Sequence, residues 1–253
     1  MLQKRIDRIL DIIKEQGYVT VKYLCEELHY STATINRDLN DLQKQKLIVR
    51  HYGGAELADR KGIPLVFRYH KMRPVKRAIS KRAAELISGK MTVFIDGSTT
   101  AQYMAEYIRN IKDLTVITNN LNLVSHLSEA GVKCICLGGA VVEAPYMTGG
   151  DDAAVQALTY TADIAFFSVG GVSADGIIYD GDGYFPLHRA MLERAKKRVF
   201  LVDHQKIGIT GKRVLCDFTD IETVVSDFEF SDQVKEKFPN TQFIKIKTPK
   251  TQQ

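Results

Sequence analysis

Residues 31–55, STATINRDLNDLQKQKLIVRHYGGA, admit few folds, because a short amphipathic helix is followed at once by a hairpin with a glycine turn. Ser31 is a good N-cap, and Ile35, Leu39 and Leu42 recur at helical spacing, so one stripe of the helix is apolar. The opposite face carries Thr34, Asn36, Arg37 and Asn40. All four can read base edges in a major groove, Asn and Arg with two hydrogen bonds each. Leu47 to Tyr52 then alternates apolar and polar residues, and Gly53-Gly54 is expected to supply the positive φ angles of a tight turn. Taken alone, the stretch also fits a solvated helix beside an ordinary hairpin.

The preceding residues narrow the choice. Ile6, Ile9, Leu10 and Ile13 form a helical stripe that Gly17 should end. That implies a first helix of about 15 residues. Tyr18 to Thr20 can pair as a short strand, and Val21 to His29 reads as a second helix. Helix, strand, helix, turn, helix and hairpin in this order make a winged helix-turn-helix, with Thr32 to Gln43 as recognition helix and Ile48 to Leu57 as wing. DNA contacts are expected from Ser31, Thr32, Thr34, Asn36, Arg37, Asn40, Arg50 and His51.

The chain has 253 residues, 45% hydrophobic and 26% charged, an ordinary globular composition with room for a small and a medium domain. No window approaches the apolar run of about 20 residues that a membrane span needs, and the N-terminus has no signal-peptide core, so a cytoplasmic protein is expected. Cys25, Cys134, Cys136 and Cys216 show neither a CxxC pair nor disulfide-framework density, and are read as small buried hydrophobes. No cofactor and no metal site is expected. Charge is unevenly spread: residues 1–60 hold 10 Lys/Arg against 9 Asp/Glu, residues 61–82 hold 8 against none, and residues 83–253 hold 17 against 21. The DNA-binding segment is thus only weakly basic. The basic run is the connector, which can add salt-dependent affinity for phosphates, while Lys71 to Arg82 reads as the solvated face of a helix beginning near Pro74. The expected organisation is a DNA-binding domain over 1–58, a basic connector over 59–76 and a second domain over 77–250.

From Lys90 onward, short apolar runs alternate with helical segments. Strands are expected at 92–95, 114–118, 133–137, 164–169, 198–202 and 223–225, and helices at 100–109, 121–129, 152–158 and 187–196. This alternation implies a mostly parallel sheet with helices on both faces, whose ligands collect at the carboxyl ends of the strands. The first strand ends in Asp96-Gly97-Ser98-Thr99-Thr100 before a helix, where backbone N–H groups and hydroxyls suit a phosphate; Ser98 or Thr99 could equally be a plain N-cap. Other strand ends are polar or glycine-rich too: Thr118-Asn119-Asn120, Gly138-Gly139, Gly170-Gly171 and Asp203 to Lys206. Together they suggest a small polar ligand, its hydroxyls on Asp96 and Asn119 and its phosphate on Ser98, Thr99, Thr100 and Lys206. Asp180 and Asp182 can contact sugar hydroxyls or build a turn. His188 reads as an exposed helix residue or as a pH-dependent charge at the ligand.

Ser31, Thr34, Ile35, Arg37, Asp38 and Leu39, followed by Arg50, His51 and Gly53-Gly54-Ala55, resemble the N-terminal signature of DeoR-type bacterial transcription regulators. FIDGSTTAQYMA, the TNN at 118–120, Gly138-Gly139, ADIAFFSVGG and LVDHQKIG resemble landmarks of the DeoR-type sensor domain, which is similar in fold to ribose-5-phosphate isomerases. The resemblance implies operator DNA and a phosphorylated sugar or related effector as partners and a repressor of sugar-metabolism genes; helix-turn-helix proteins commonly dimerise on two half-sites, so a homo-oligomer, dimer or tetramer, is expected. By position, Gly97 to Thr100 match the phosphate loop and Lys206 the lysine of an Asp-x-x-Lys motif. The chain departs at Asn36, where the family usually has a second arginine, at Tyr30, usually small and aliphatic, and at Pro186 and His188, usually glutamate and lysine. The rival is an isomerase fused to a helix-turn-helix. Isomerisation needs a carboxylate base within reach of a carbon-bound proton, and YFPLHRAML between Asp182 and Glu193 offers none.

Overall fold

The computed structural model describes residues 2–16, 18–45, 47–51, 53–58, 72–143, 147–181 and 184–247. Gly17, the segment 59–71 and Asp182 therefore lie outside the described residues. The chain forms two compact units, Met1–Lys71 and Met72–Gln253.

The first unit runs α1 (Leu2–Gln16), β1 (Tyr18–Thr20), α2 (Val21–Leu28), α3 (Thr32–Lys44), β2 (Ile48–His51) and β3 (Gly54–Leu57). Thr20 caps α2 and Ser31 caps α3, each hydroxyl accepting a backbone N–H of the first turn. Ile9 and Ile13 of α1, Leu24 of α2, and Ile35, Leu39 and Leu42 of α3 are fully buried together, which is what their helical spacing was for. The three strands pair antiparallel in the order β1-β3-β2. A part-buried ion pair also fastens α1 to α3: the Arg5 guanidinium donates twice to Asp38, Nε to Oδ2 at 2.5 Å and Nη2 to Oδ1 at 3.0 Å, and lies 4.6 Å over the Tyr30 ring. Tyr30, at a place where the family usually has an aliphatic residue, thus provides a flat surface for this cation.

The two glycines of the wing serve different ends. Gly53 has φ +85° and makes the turn. Gly54 does not have a positive φ, contrary to expectation; it is small because a Cβ there would lie 1.8 Å from Tyr18 Oη and 2.2 Å from the Val19 carbonyl oxygen.

The second unit opens with α4 (Arg73–Ala84), so residues 73–76 of the expected connector are the first turn of a helix. There follow β4 (Thr92–Ile95), a 3-10 turn over Ala101–Met104, α5 (Ala105–Ile108), β5 (Thr115–Thr118), α6 (Leu121–Glu129) and β6 (Lys133–Cys136). Next come β7 (Ala140–Glu143), β8 (Met147–Gly149), α7 (Asp151–Leu158), β9 (Ala162–Phe167), β10 (Gly171–Val172), β11 (Ile177–Asp180) and α8 (Phe185–Arg194). The unit ends with β12 (Ala195–Val202), β13 (Arg213–Asp217), β14 (Thr223–Ser226), α9 (Asp232–Lys237) and β15 (Gln242–Lys245).

Seven strands form one sheet in the order β15-β14-β12-β9-β4-β5-β6, and every neighbouring pair is parallel. Its central strands carry adjacent apolar residues, such as Val93-Phe94-Ile95 and Val116-Ile117, because both faces are covered. Alternate residues serve opposite layers: Val93 and Ile95 pack with Ile79 and Leu123 on one face, while Phe94 packs with Leu187 and Met191 on the other. Beyond the expected strands, β15 completes the sheet, and two small antiparallel sheets, β10-β11-β13 and β7-β8, stand apart from it. Of the cysteines read as buried, only Cys216 is; Cys25 and Cys134 are half-buried and Cys136, near the end of edge strand β6, is exposed.

Gly54→Ala is expected to destabilise the first unit by about 1–3 kcal/mol through overpacking against β1, more than its transition shifts for a surface Gly→Ala change. Urea unfolding followed by circular dichroism reads this directly.

Candidate functional site

On the first unit, the exposed side of α3 carries the residues expected to meet DNA. Arg37 is exposed and makes no hydrogen bond or ion pair to the described residues. Thr34 shares a hydroxyl contact with Ser31 at 3.0 Å, and Thr32 Oγ1 accepts from the Cys25 thiol at 3.7 Å. The wing reaches back onto the helix: Arg50 donates through Nη2 to Asn36 Oδ1 at 2.5 Å and through Nη1 to Asn40 Oδ1. His51, by contrast, turns inward and holds Glu56 across the hairpin, Nε2 to Oε1 at 2.8 Å. Arg37, Asn36, Asn40 and Arg50 are therefore brought together on one face, and His51 is placed inside the wing.

In the second unit, all parallel strands deliver their carboxyl ends to one edge of the sheet, and the strand order reverses between β9 and β4. Such a reversal opens a crevice. The loop after β4 lies there. Ser98 Oγ accepts from Ala101 N at 3.1 Å, while the N-cap position of the 3-10 turn is Thr100. Thr99 Oγ1 accepts from Lys76 Nζ at 2.8 Å. Lys76 is only 4% exposed, although it was read as part of a solvated face. Its neighbour on the same face of α4, Ser80, donates to the Thr100 carbonyl at 2.5 Å. The pair Lys76 and Ser80, four apart and flanked by buried Val75, Ile79 and Ala83, was the available signal, hidden by the surrounding basic run.

The next loop leans on β8. Asn119 Nδ2 donates to the Thr148 carbonyl at 2.7 Å, and the Thr148 hydroxyl donates to the Leu137 carbonyl. Gly97 has no room for a side chain, since a Cβ would lie 2.0 Å from Met147 Sδ. Thr118 Oγ1 accepts from Asn120 N, and Asn120 Oδ1 caps α6 at Leu123 N. Among the described side chains of the second unit, Thr100 Oγ1, Asn119 Oδ1 and Asn120 Nδ2 are buried polar atoms without a hydrogen-bond partner, and all three sit on these two loops. Groups of this kind in a folded protein call for a specific partner. Gly138 N donates to Gln156 Oε1, Gly139 takes φ +128° at the start of β7, and Gly171 belongs to β10, packed on Ile209. These glycines, with Gly170, shape the backbone at the edge. Lys206 Nζ donates to Ser168 Oγ at 2.7 Å, so it is held at the edge rather than loose at the surface.

The largest departure from expectation is His188, which is buried between two carboxylates rather than exposed. Its Nδ1–H donates to Asp180 Oδ2 at 2.6 Å and its Nε2–H to Asp96 Oδ2 at 3.1 Å. Burial alone would pull the imidazole down, but Asp180 and then Asp96 outweigh it and push the group up to about 10. His188 is thus an imidazolium at neutral pH. Asp96 also accepts the backbone N–H of Ser98 at 3.2 Å and of Ser168 at 3.0 Å, which joins β4 to β9 at the reversal point. Asp96 was read as a partner for ligand hydroxyls; its carboxylate is already surrounded. No sequence pattern joins Asp96 to His188, 92 residues apart.

Because the folded-state value lies above the unfolded one of about 6.5, the stability His188 contributes is complete below that pH and is lost as pH rises toward 10. The urea midpoint of the second unit is expected to fall over that window, and His188→Gln should flatten the fall. His188→Ala, which leaves two buried carboxylates face to face, should cost about 3–5 kcal/mol at pH 7.

Residues 5–61 match the DeoR-like helix-turn-helix domain and residues 72–228 the DeoR C-terminal sensor domain. The chain is 32% identical over 230 residues to the HTH-type transcriptional repressor GlcR of Bacillus subtilis, covering 89% of this chain and 88% of that protein. It is 30% identical over 227 residues to the glycerol-3-phosphate regulon repressor of Escherichia coli, covering 88% and 90%. Among solved structures, the ribose 5-phosphate isomerase of Plasmodium falciparum superposes with a TM-score of 0.40 at 14% identity, covering 54% of this chain and 53% of that one. Both domains in order, with relatives matched along nearly their full length, place this chain in the DeoR family of DNA-binding transcription regulators.

Proposed function

We propose that the protein represses genes of sugar or sugar-phosphate metabolism and is controlled by a phosphorylated sugar or related metabolite. Residues 1–58 bind operator DNA through α3 and the wing, the residues between 58 and α4 connect, and the second unit, α4 included, senses the effector. The relatives' names, a glycerol-3-phosphate regulon repressor among them, support this reading. The observation that carries it for this chain is the loop 97–100. A desolvated ammonium, Lys76 Nζ, lies on Thr99 of that loop, a half-buried one, Lys206 Nζ, lies across the strand reversal on Ser168, and the loops carry the orphaned Thr100 Oγ1 and Asn119 Oδ1. Two cations among hydroxyls suit a dianionic phosphate, and the carboxamides of Asn119 and Asn120 suit the hydroxyls of a short sugar chain. Gly138, Gly139, Gly170 and Gly171 border this region, with Asp182 proposed on sequence grounds.

Binding without turnover is part of the proposal. An isomerase must offer a carboxylate to a substrate carbon. Asp96 and Asp180 are buried and hydrogen-bonded to the His188 imidazolium, which leaves neither as a base. Operator half-sites also favour an even-numbered homo-oligomer, a dimer or tetramer, working in the cytoplasm. No helix among the described residues is long and apolar enough to cross a membrane.

The test is fluorescence anisotropy on DNA from upstream of the protein's own gene, against scrambled DNA at fixed salt and with a panel of sugar phosphates. A 10- to 100-fold change in operator affinity with one phosphate, absent with its unphosphorylated sugar, corresponds to coupling of about 1.4–2.8 kcal/mol. Lys76→Met and the pair Ser98→Ala with Thr99→Ala should abolish that response and leave basal operator binding intact; an unchanged response refutes the phosphate site. Arg37→Ala should do the reverse, weakening operator binding by about 1–3 kcal/mol while calorimetry shows effector binding unchanged.

A further inference from the structure

The contact between wing and recognition helix points to the bases this protein reads. A guanidinium has no acceptor, so the carboxamide atoms of Asn36 and Asn40 that meet Arg50 are their oxygens. The Asn36 backbone carbonyl also accepts from Arg50, at 3.5 Å. Each Asn keeps its whole Nδ2–H2 group to offer, while its oxygen already faces the Arg50 cation with one of its two lone pairs. Beside them on α3 stands Arg37, exposed and a donor only.

We infer that the Asn36, Arg37 and Asn40 part of α3 presents a donor-rich surface, Asn36 Nδ2, Asn40 Nδ2 and the Arg37 guanidinium, and therefore reads acceptor-rich base edges, guanine O6 and N7, rather than adenine. The usual pairing of Asn with adenine needs oxygen and nitrogen together, the oxygen accepting from N6. Here an adenine amino group that approached either oxygen would meet the N–H groups of Arg50, donor against charged donor. Guanine brings two adjacent acceptors and no amino group to the major groove. Arg50 is on this account a positioning residue: it sets which half of each carboxamide faces the groove. The inference rests on the reading that α3 is the element that enters the major groove.

The experiment is selection of duplexes from a pool with a randomised core by the full-length protein. Asn36→Ala, Asn40→Ala and Arg37→Ala identify the positions each residue reads, since each variant loses its base preference there. The wild type is expected to enrich guanine at the Asn36 and Asn40 positions. Substituting 7-deazaguanine at one of them, which removes N7, should weaken binding roughly tenfold. Arg50→Ala, checked for folding by circular dichroism, should release the carboxamides and move the preference at those positions from guanine to adenine while the Arg37 position keeps guanine. Adenine enriched by the wild type at the Asn positions, indifference to 7-deazaguanine, or an unchanged guanine preference in folded Arg50→Ala would overturn the inference. If Arg50→Ala does not fold, the deazaguanine measurement on the wild type decides. A wild type that enriches no sequence at all would instead overturn the underlying assignment of α3 to the major groove.

Discussion

The carboxylate of Asp96 is the constraint on which the sensing unit depends. A charge that is 1% exposed is tolerable only if surrounded by donors, and its donors come from three places in the chain: its own loop, the end of β9 and the middle of α8. Satisfying one buried group therefore fixes the separation of β4 and β9, where the sheet changes direction, and seats α8 above them. Ser168, held by its backbone to Asp96, in turn holds Lys206 by its hydroxyl. The geometry of the edge thus follows from a polar knot as much as from the apolar layers below it. His188 serves that knot, which is why a residue type often associated with switching is here fixed in its charged form through the neutral range.

Much of this architecture was legible from pattern alone. Runs such as TVFI and TVIT hold adjacent apolar residues because both faces of a parallel strand are covered, and the strands at 92–95 and 115–118 emerge from that. β15 did not, since QFIK at the sheet's edge is exposed at both ends and reads like loop. Of the short strands, β10 and β11 form a hairpin with only two residues in β10, and β13 pairs with β11 from a segment far along the chain, neither of which local periodicity registers. For the candidate site, polar and glycine-rich strand ends could be recognised because loops at the carboxyl edge have little other reason to share that composition. What stayed hidden were side chains whose role is set by tertiary burial. Lys76 looked like one cation of many until α4 packed its face against the loop after β4, and His188 looked like a helix surface until Asp180 and Asp96 closed on either side.

The departure at Asn36 from the arginine usual in such regulators also has a physical setting. Arg50 lies with Nη2 2.5 Å from the Asn36 oxygen. A second guanidinium at that position would bring like charges together, whereas a carboxamide oxygen gives Arg50 an acceptor and fastens wing to helix. Together with the bidentate pair of Arg5 and Asp38 behind it, α3 is held from two sides by arginines that belong to other elements. The helix is thereby rigid before it meets any partner, and little ordering remains to be done on contact.

The strand order also bears on how the sheet can be assembled. β4 lies inside the sheet; β5 and β6 add outward on one side in the order they are synthesised, and β9, β12, β14 and β15 then add outward on the other. Every strand, as it leaves the ribosome, finds an open edge waiting and never has to wedge between two neighbours already paired. Growth of this kind keeps each new pairing next to the last one formed and shortens the loops that must close. The carboxyl edge is completed on a different schedule: its loops after β4 and β5 come early, but Ser168 and Lys206 arrive only with β9 and the turn after β12. A nascent chain therefore holds a finished DNA-binding unit long before it holds a finished sensor.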